Sequence, residues 1–185
     1  MEAPLEQTDD GLVCKGDGWF VVNARDIRWR DWPGMGQSTN FGGETLFDQL
    51  GVGVKVLGPG EPMSMYHWES DQEGFLVLAG EGTLVIDGEE RPLKQWDFVH
   101  CPPGAAHVIV GGPCVLFTVG SRQRHTMIGE DGQRTGKPGE SEYVADPVAA
   151  KYGASPERNT EDNEEAYANF PAPRWARYGG WLDGV

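Results

Sequence analysis

Two of the chain's four histidines sit where they could hold a metal ion. His67 opens the run His67-Trp68-Glu69-Ser70-Asp71-Gln72-Glu73. On an extended strand residues two apart share a face, so His67 and Glu69 point the same way. A turn at Ser70-Asp71 would bring the chain back and let Glu73 join them from the next strand. Forty residues after His67, Pro102-Pro103-Gly104-Ala105-Ala106-His107 delivers a second imidazole at the start of an apolar strand. Two imidazoles and one or two carboxylates make a ligand set for a divalent first-row metal. Thiolates do not enter. Cys14, Cys101 and Cys114 are far apart in sequence, which disfavours a Cys-rich zinc site or a Cys-x-x-Cys pair. They read as small buried hydrophobes. His100 reads as structural and His125, in Arg122-Gln123-Arg124-His125, as a solvated loop residue.

Such a set needs strands to carry it. Short runs rich in Val, Leu, Ile and Phe, punctuated by Gly, Pro and Asp, occupy residues 19–23, 52–57, 75–79, 83–86, 97–99, 107–110 and 114–119. Asp87-Gly88 predicts a two-residue hairpin turn between 83–86 and 89–93, because a type I′ turn needs positive φ at both central positions. No helical crossovers separate the runs, so the expected class is all-β, an antiparallel sandwich or small barrel. Met63, Met65, Phe75 and Val77 share the parity of His67 and Glu73 and should form a mostly apolar wall around the metal.

The chain divides by character into three parts. Residues 1–17 are acidic and aperiodic, expected to form a flexible arm. Residues 18–120 form the barrel, and 121–185 form an extension packed on it. In the extension, 121–142 reads as a polar loop. Asp146-Pro147 opens a helix that Gly153 ends, Ser155-Pro156 opens a second, and Thr160 caps a third over 161–169. The tail carries Trp175, Tyr178 and Trp181 and needs a surface to cover, on this barrel or on that of a second subunit.

The middle of the chain resembles the cupins. Their first motif runs Gly, five residues, His-x-His, three or four residues, Glu, six residues, Gly. Glu73 and Gly80 match its end. Their second runs Gly, five residues, Pro-x-Gly, two residues, His, three residues, Asn, and Pro102, Gly104 and His107 match its core. The resemblance covers roughly residues 50–120 and implies a double-stranded β-helix, a jelly-roll barrel with short C-terminal helices added here. It implies a metal held by His67, Glu69, Glu73 and His107, with Glu69 in place of the second histidine. Trp96 stands for the first Gly of the second motif, and Gly111 for its Asn. The iron/2-oxoglutarate oxygenases also use His-x-carboxylate and a distant His, but their Arg-x-Ser is missing here, where the chain reads Ser121-Arg122-Gln123-Arg124.

Composition narrows the partners. With Lys+Arg 15 against Asp+Glu 29, the net charge of −14 argues against nucleic acid and anionic membranes. No apolar run approaches a membrane span, and Met1 to Glu6 is unlike a signal peptide, so a cytoplasmic protein is expected. The expected cofactor is one divalent transition metal per chain: iron, manganese, nickel or zinc. The expected partners are a small organic ligand and a second copy in a homodimer. As an enzyme it would be isomerase-like or dioxygenase-like, and the alternative is a non-catalytic small-molecule or metal-binding module.

Overall fold

Asp87 and Gly88 take left-handed backbone conformations, with φ of 51° and 72°, and turn the chain between two paired strands as the dipeptide predicts. In chain order the elements of the computed structural model are β1 (Leu5–Thr8), β2 (Gly11–Cys14), β3 (Trp29–Trp32), β4 (Gly36–Asn40), β5 (Leu50–Leu57), β6 (His67–Glu69), β7 (Glu73–Ile86), β8 (Glu89–Lys94), β9 (Phe98–Cys101), β10 (His107–Ser121), β11 (Met127–Ile128), β12 (Arg134–Thr135), β13 (Ser141–Tyr143), α1 (Pro147–Ala150), α2 (Asn163–Ala166) and β14 (Arg174–Ala176). The structure describes all residues except 17, 43–46, 48, 123–126, 129–133, 136–139 and 181–185. Arg124, His125 and Trp181 therefore lie outside the described residues.

The fold is all-β, a double-stranded β-helix. One sheet runs β13-β6-β10-β5-β4-β3-β14, and β7 joins it by pairing with β10, β8 and β9. The long ladder of β7 and β10 runs from His107 opposite Ile86 to Gly120 opposite Glu73, with register shifts between Gly111 and Cys114 and between Val115 and Leu116. Pairs of short strands were expected on either side of the first shift. Each pair runs instead as a single strand, because Gly80 (φ 75°) bends β7 without ending its pairing. A side chain at Gly80 would strike the Pro113 carbonyl.

Alternation sorts β5 between two cores. Val54 and Val56 pack with Ile27, Trp29 and Val115 in one cluster, while Leu57 joins Phe75, Val77, Val108, Ile109 and Leu116 in the other. Ala149 and Ala154 of the extension are fully buried in that second cluster.

Several local expectations change. Residues 19–23 are not a strand: Trp19 makes only an isolated bridge to Glu2 and is 60% exposed. β-propensity without a neighbouring strand to pair with does not make a strand. The expected arm over 1–17 instead holds the β1–β2 hairpin, with Val13 and Cys14 buried. At Asp146 the helix starts as expected, with the carboxylate accepting from the Val148 and Ala149 amides at 2.8 Å each. Ser155 starts no helix, since its hydroxyl accepts from the Asp146 amide at 2.9 Å and donates to the Pro156 carbonyl at 3.0 Å. The last helix is short and is capped by Asp162 rather than Thr160.

Candidate metal centre

All four expected ligand residues meet. His67 and Glu69 lie on β6, Glu73 begins β7 and His107 begins β10. One ligand atom from each of His67, Glu69 and Glu73 lies within 4.8 Å of the others. His107 Nε2 is 3.3 Å from Glu73 Oε2, and His67 Nε2 is 3.4 Å from Glu69 Oε1. The two imidazole centroids are 5.5 Å apart.

Local backbone geometry sets the tautomers. His67 Nδ1 lies 2.7 Å from the Met65 carbonyl, and His107 Nδ1 lies 2.9 Å from the Ala105 carbonyl. A carbonyl only accepts, so each Nδ1 carries a proton and donates it. Each Nε2 is then left toward the shared space, the arrangement that prepares a histidine to ligate. The turn that aims His107 needs Gly104 at φ 84°, and the Gly104 amide donates to the Glu69 carbonyl at 2.8 Å. That one bond ties the His107 turn to the strand carrying His67 and Glu69.

The donor atoms are short of partners. Glu73 Oε2 and His107 Nε2 are buried, approach one another at 3.3 Å and have no hydrogen-bond partner. Buried polar atoms are rarely left so, and an orphaned pair of ligand-type atoms facing one another fits a cation. Burial pushes the Glu73 carboxyl up, but His107, His67 and Lys55 outweigh it and hold the group below its usual range. Burial pulls His107 down, yet Cys101 and Glu73 carry it up to about 10. A proton and a metal cation are alternative ways to satisfy that Nε2, so binding one displaces the other.

The wall is not the expected one. Met63, Met65, Phe75 and Val77 are buried, and the Phe75 ring lies 5.4 Å from the His107 ring, so they do pack behind the cluster. The open cavity of about 480 Å³ lies on the carboxylate side, where Glu69, Asp71 and Glu73 face Arg30, Lys55 and Arg122. Sequence reasoning passed over Lys55 and Arg30. A usable signal existed for Lys55: within 52–57 it alternates with Val54 and Val56, which marks it for the opposite face. Its amine donates to the Met63 carbonyl at 2.5 Å, and burial lowers its pKa to about 8 against the opposing pull of Glu73.

The two departures from the motif also have local explanations. Trp96 keeps the left-handed φ of 73° at the position where the motif has glycine, its ring 66% exposed. At Gly111 a Cβ would come 2.6 Å from the Leu57 Cβ, so the close packing of β5 excludes a larger residue.

The Cupin_2 family, the cupin domain, matches residues 53–120. The chain carries a cupin domain. An uncharacterized protein of Aquifex aeolicus (strain VF5) is 45% identical over 42 residues, covering 23% of this chain and 34% of that one. A sugar phosphate isomerase from a cupin superfamily of Silicibacter pomeroyi is similar in structure, with 28% identity and a TM-score of 0.44 over 55% of this chain and 63% of that one. A Cupin 2 conserved barrel domain protein of Salinispora arenicola CNS-205 has 24% identity and a TM-score of 0.41, over 45% of this chain and 73% of that one. This chain thus spans about a third of the Aquifex relative and under two thirds of the Silicibacter one. Among the described residues no helix is long and apolar enough to cross a membrane.

Proposed function

We propose that the protein is a metal-dependent cupin that binds or converts a small organic molecule at the mouth of its barrel. One divalent transition metal per chain, from the set iron, manganese, nickel and zinc, is held by His67, Glu73 and His107, with Glu69 as the weaker fourth ligand. One observation carries the reading: both histidines spend Nδ1 on a carbonyl two residues back and turn Nε2 toward the carboxylates, where His107 Nε2 and Glu73 Oε2 lack any other partner. A metal held there would supply Lewis-acid polarisation of a carbonyl or hydroxyl, or a site for dioxygen. The chain's own residues anchor it, fix the tautomers and wall off water on the Phe75 side.

Elemental analysis after reconstitution tests this, with about one equivalent expected in the native chain. His107→Ala removes a buried ligand and should lose most of the metal. Native protein with less than about a tenth of an equivalent overturns the reading.

A non-catalytic binding module is the second reading, favoured by the burial of both imidazoles at 8% and 1% exposure. In either case the protein is cytoplasmic and acts as a homodimer. Trp96 and Phe98, 66% and 63% exposed beside one another on the barrel, supply apolar surface for such pairing. A monomeric mass by light scattering at micromolar concentration rules the dimer out.

A further inference from the structure

Four of the chain's 15 basic residues line one cavity, although the chain as a whole carries a net charge of −14. Strand register shows how they come to share it. Trp175 lies opposite Arg30, Arg30 opposite Ser38, Ser38 opposite Lys55, and Lys55 opposite Leu116. Residues directly opposite in a ladder project from the same face. The row Trp175-Arg30-Ser38-Lys55 therefore crosses β14, β3, β4 and β5 on the inner face that Leu116 fixes as the barrel interior. Arg30 and Lys55 stand two strand spacings apart, roughly 10 Å, with the small Ser38 between them. At the far side Arg122 reaches over Gly51, where a Cβ would meet its guanidinium at 3.1 Å.

These charges are not spent on carboxylates. Among the described residues no carboxylate lies within ion-pair distance of Lys55, Arg30 or Arg122. Lys55 donates to a carbonyl, Arg122 donates to the Phe47 carbonyl at 3.2 Å, and Arg30 lies 5.5 Å from the Trp32 ring. Of the three acids that line the cavity, Glu69 and Glu73 are turned toward the histidines at 3.4 and 3.3 Å, and Asp71 makes no ion pair with these cations. Like charges brought together repel, and burial raises the cost for Lys55. An anion seated between them offsets both.

We propose that the cavity's ligand is a small organic anion, bearing a carboxylate or phosphate, seated on Lys55 and Arg30 with Arg122 at the rim. This rests on the barrel-mouth reading above and names its ligand class. The anion's other end faces Glu69 and Glu73, so one molecule of a size suited to about 480 Å³ spans the cation row and the metal centre. Ser38 supplies a hydroxyl midway.

The test is calorimetric titration of the purified full chain with inorganic phosphate and, separately, with succinate. Metal content is measured on the same samples, and the titrations are repeated after chelation. Binding of at least one probe is expected, and the stronger probe identifies the anionic group. Lys55→Gln and Arg30→Gln should each weaken it about tenfold or more, the loss of one charge-assisted hydrogen bond, with metal content unchanged. Lys94→Gln, on the exposed edge of β8, should bind as the native chain does. Because Arg30 is exposed, its variant keeps the comparison valid even if the Lys55 variant folds poorly. No binding of either probe overturns the inference, and so does binding that all three variants retain. A Lys55 variant that loses metal but keeps the anion also overturns it, by making Lys55 a counter-charge for Glu73. A native chain that takes up no metal yet binds anion through Lys55 and Arg30 refutes the metal reading alone and supports this one.

Discussion

β10 and β6 each bring one imidazole to the same space, but they are held in place by different parts of the chain. β10 is a 15-residue strand paired along β5 and β7, and His107 has two pairing partners, Ile86 and His67. β6 is only three residues long and meets β10 at that single position. Its other edge is covered by β13 of the extension, with Ser141, Glu142 and Tyr143 opposite Glu69, Trp68 and His67. Trp68 Nε1 adds a bond to Glu142 Oε2 at 3.1 Å, and the Ser70 amide donates to the Glu140 carbonyl at 2.8 Å. Tyr143 and Tyr167 stack edge to face behind His67, and the Met65 amide donates to the Tyr167 hydroxyl at 3.2 Å. His107 is thus positioned by the barrel itself, while His67 and Glu69 are held on one side by the barrel, through His107 and Gly104, and on the other by residues more than seventy positions later. The strand that carries half of the candidate ligands has its outer edge covered by the extension. The expectation that follows is that the extension braces β6.

Ending the chain after Arg122 should break this comparison most severely. It removes β13, uncovers the cluster that holds Ala149 and Ala154, and strips Tyr178 from Trp29. A loss on the order of 5 kcal/mol is expected, comparable with the whole stability of many domains, so the shortened chain should aggregate. A shortened chain with unchanged thermal midpoint and full metal content would show that β6 needs no brace. A milder probe is Asp146→Ala. It removes both cap bonds at the start of α1 and should cost about 1 kcal/mol in urea unfolding while leaving the β7–β10 ladder intact. A loss near zero would mean α1 does not help to seat the extension. The smallest effect lies on the barrel side. Trp96→Gly relieves a left-handed residue, worth about 1–2 kcal/mol, against a chain-entropy cost of about 0.5–1 kcal/mol. A gain of about 0.5–1 kcal/mol in chemical unfolding is expected; a clear loss would mean that the exposed ring is packed against something in solution, as the homodimer would require.

Much of the centre was legible because its signals are local. His67-x-Glu69 depends only on strand alternation, His107 on a Pro-x-Gly turn, and the Asp87-Gly88 hairpin and Asp146-Pro147 cap on two residues each. Cooperative features were harder. β3 and β4 lack an apolar alternation and become strands because β5 offers an edge to β4 and β4 offers the next edge to β3. Conversely residues 19–23 have the composition of a strand and lack the edge.

The amino-acid sequence alone determined the all-β class, the cupin motifs, the β7–β8 turn, the first helix cap and the identity of the four metal-ligand candidates. All of these are set by contacts within a few residues or by the twofold period of a strand. Tertiary structure alone decided three further things: that β13 seats His67, that the β1–β2 hairpin buries Val13 and Cys14, and that Arg30, Ser38 and Lys55 form one row facing the carboxylates. Each of these depends on strand register, and register is set by how the whole sheet closes around its core. Arg30 and Lys55 are 25 residues apart in sequence and become neighbours only once β3, β4 and β5 have paired.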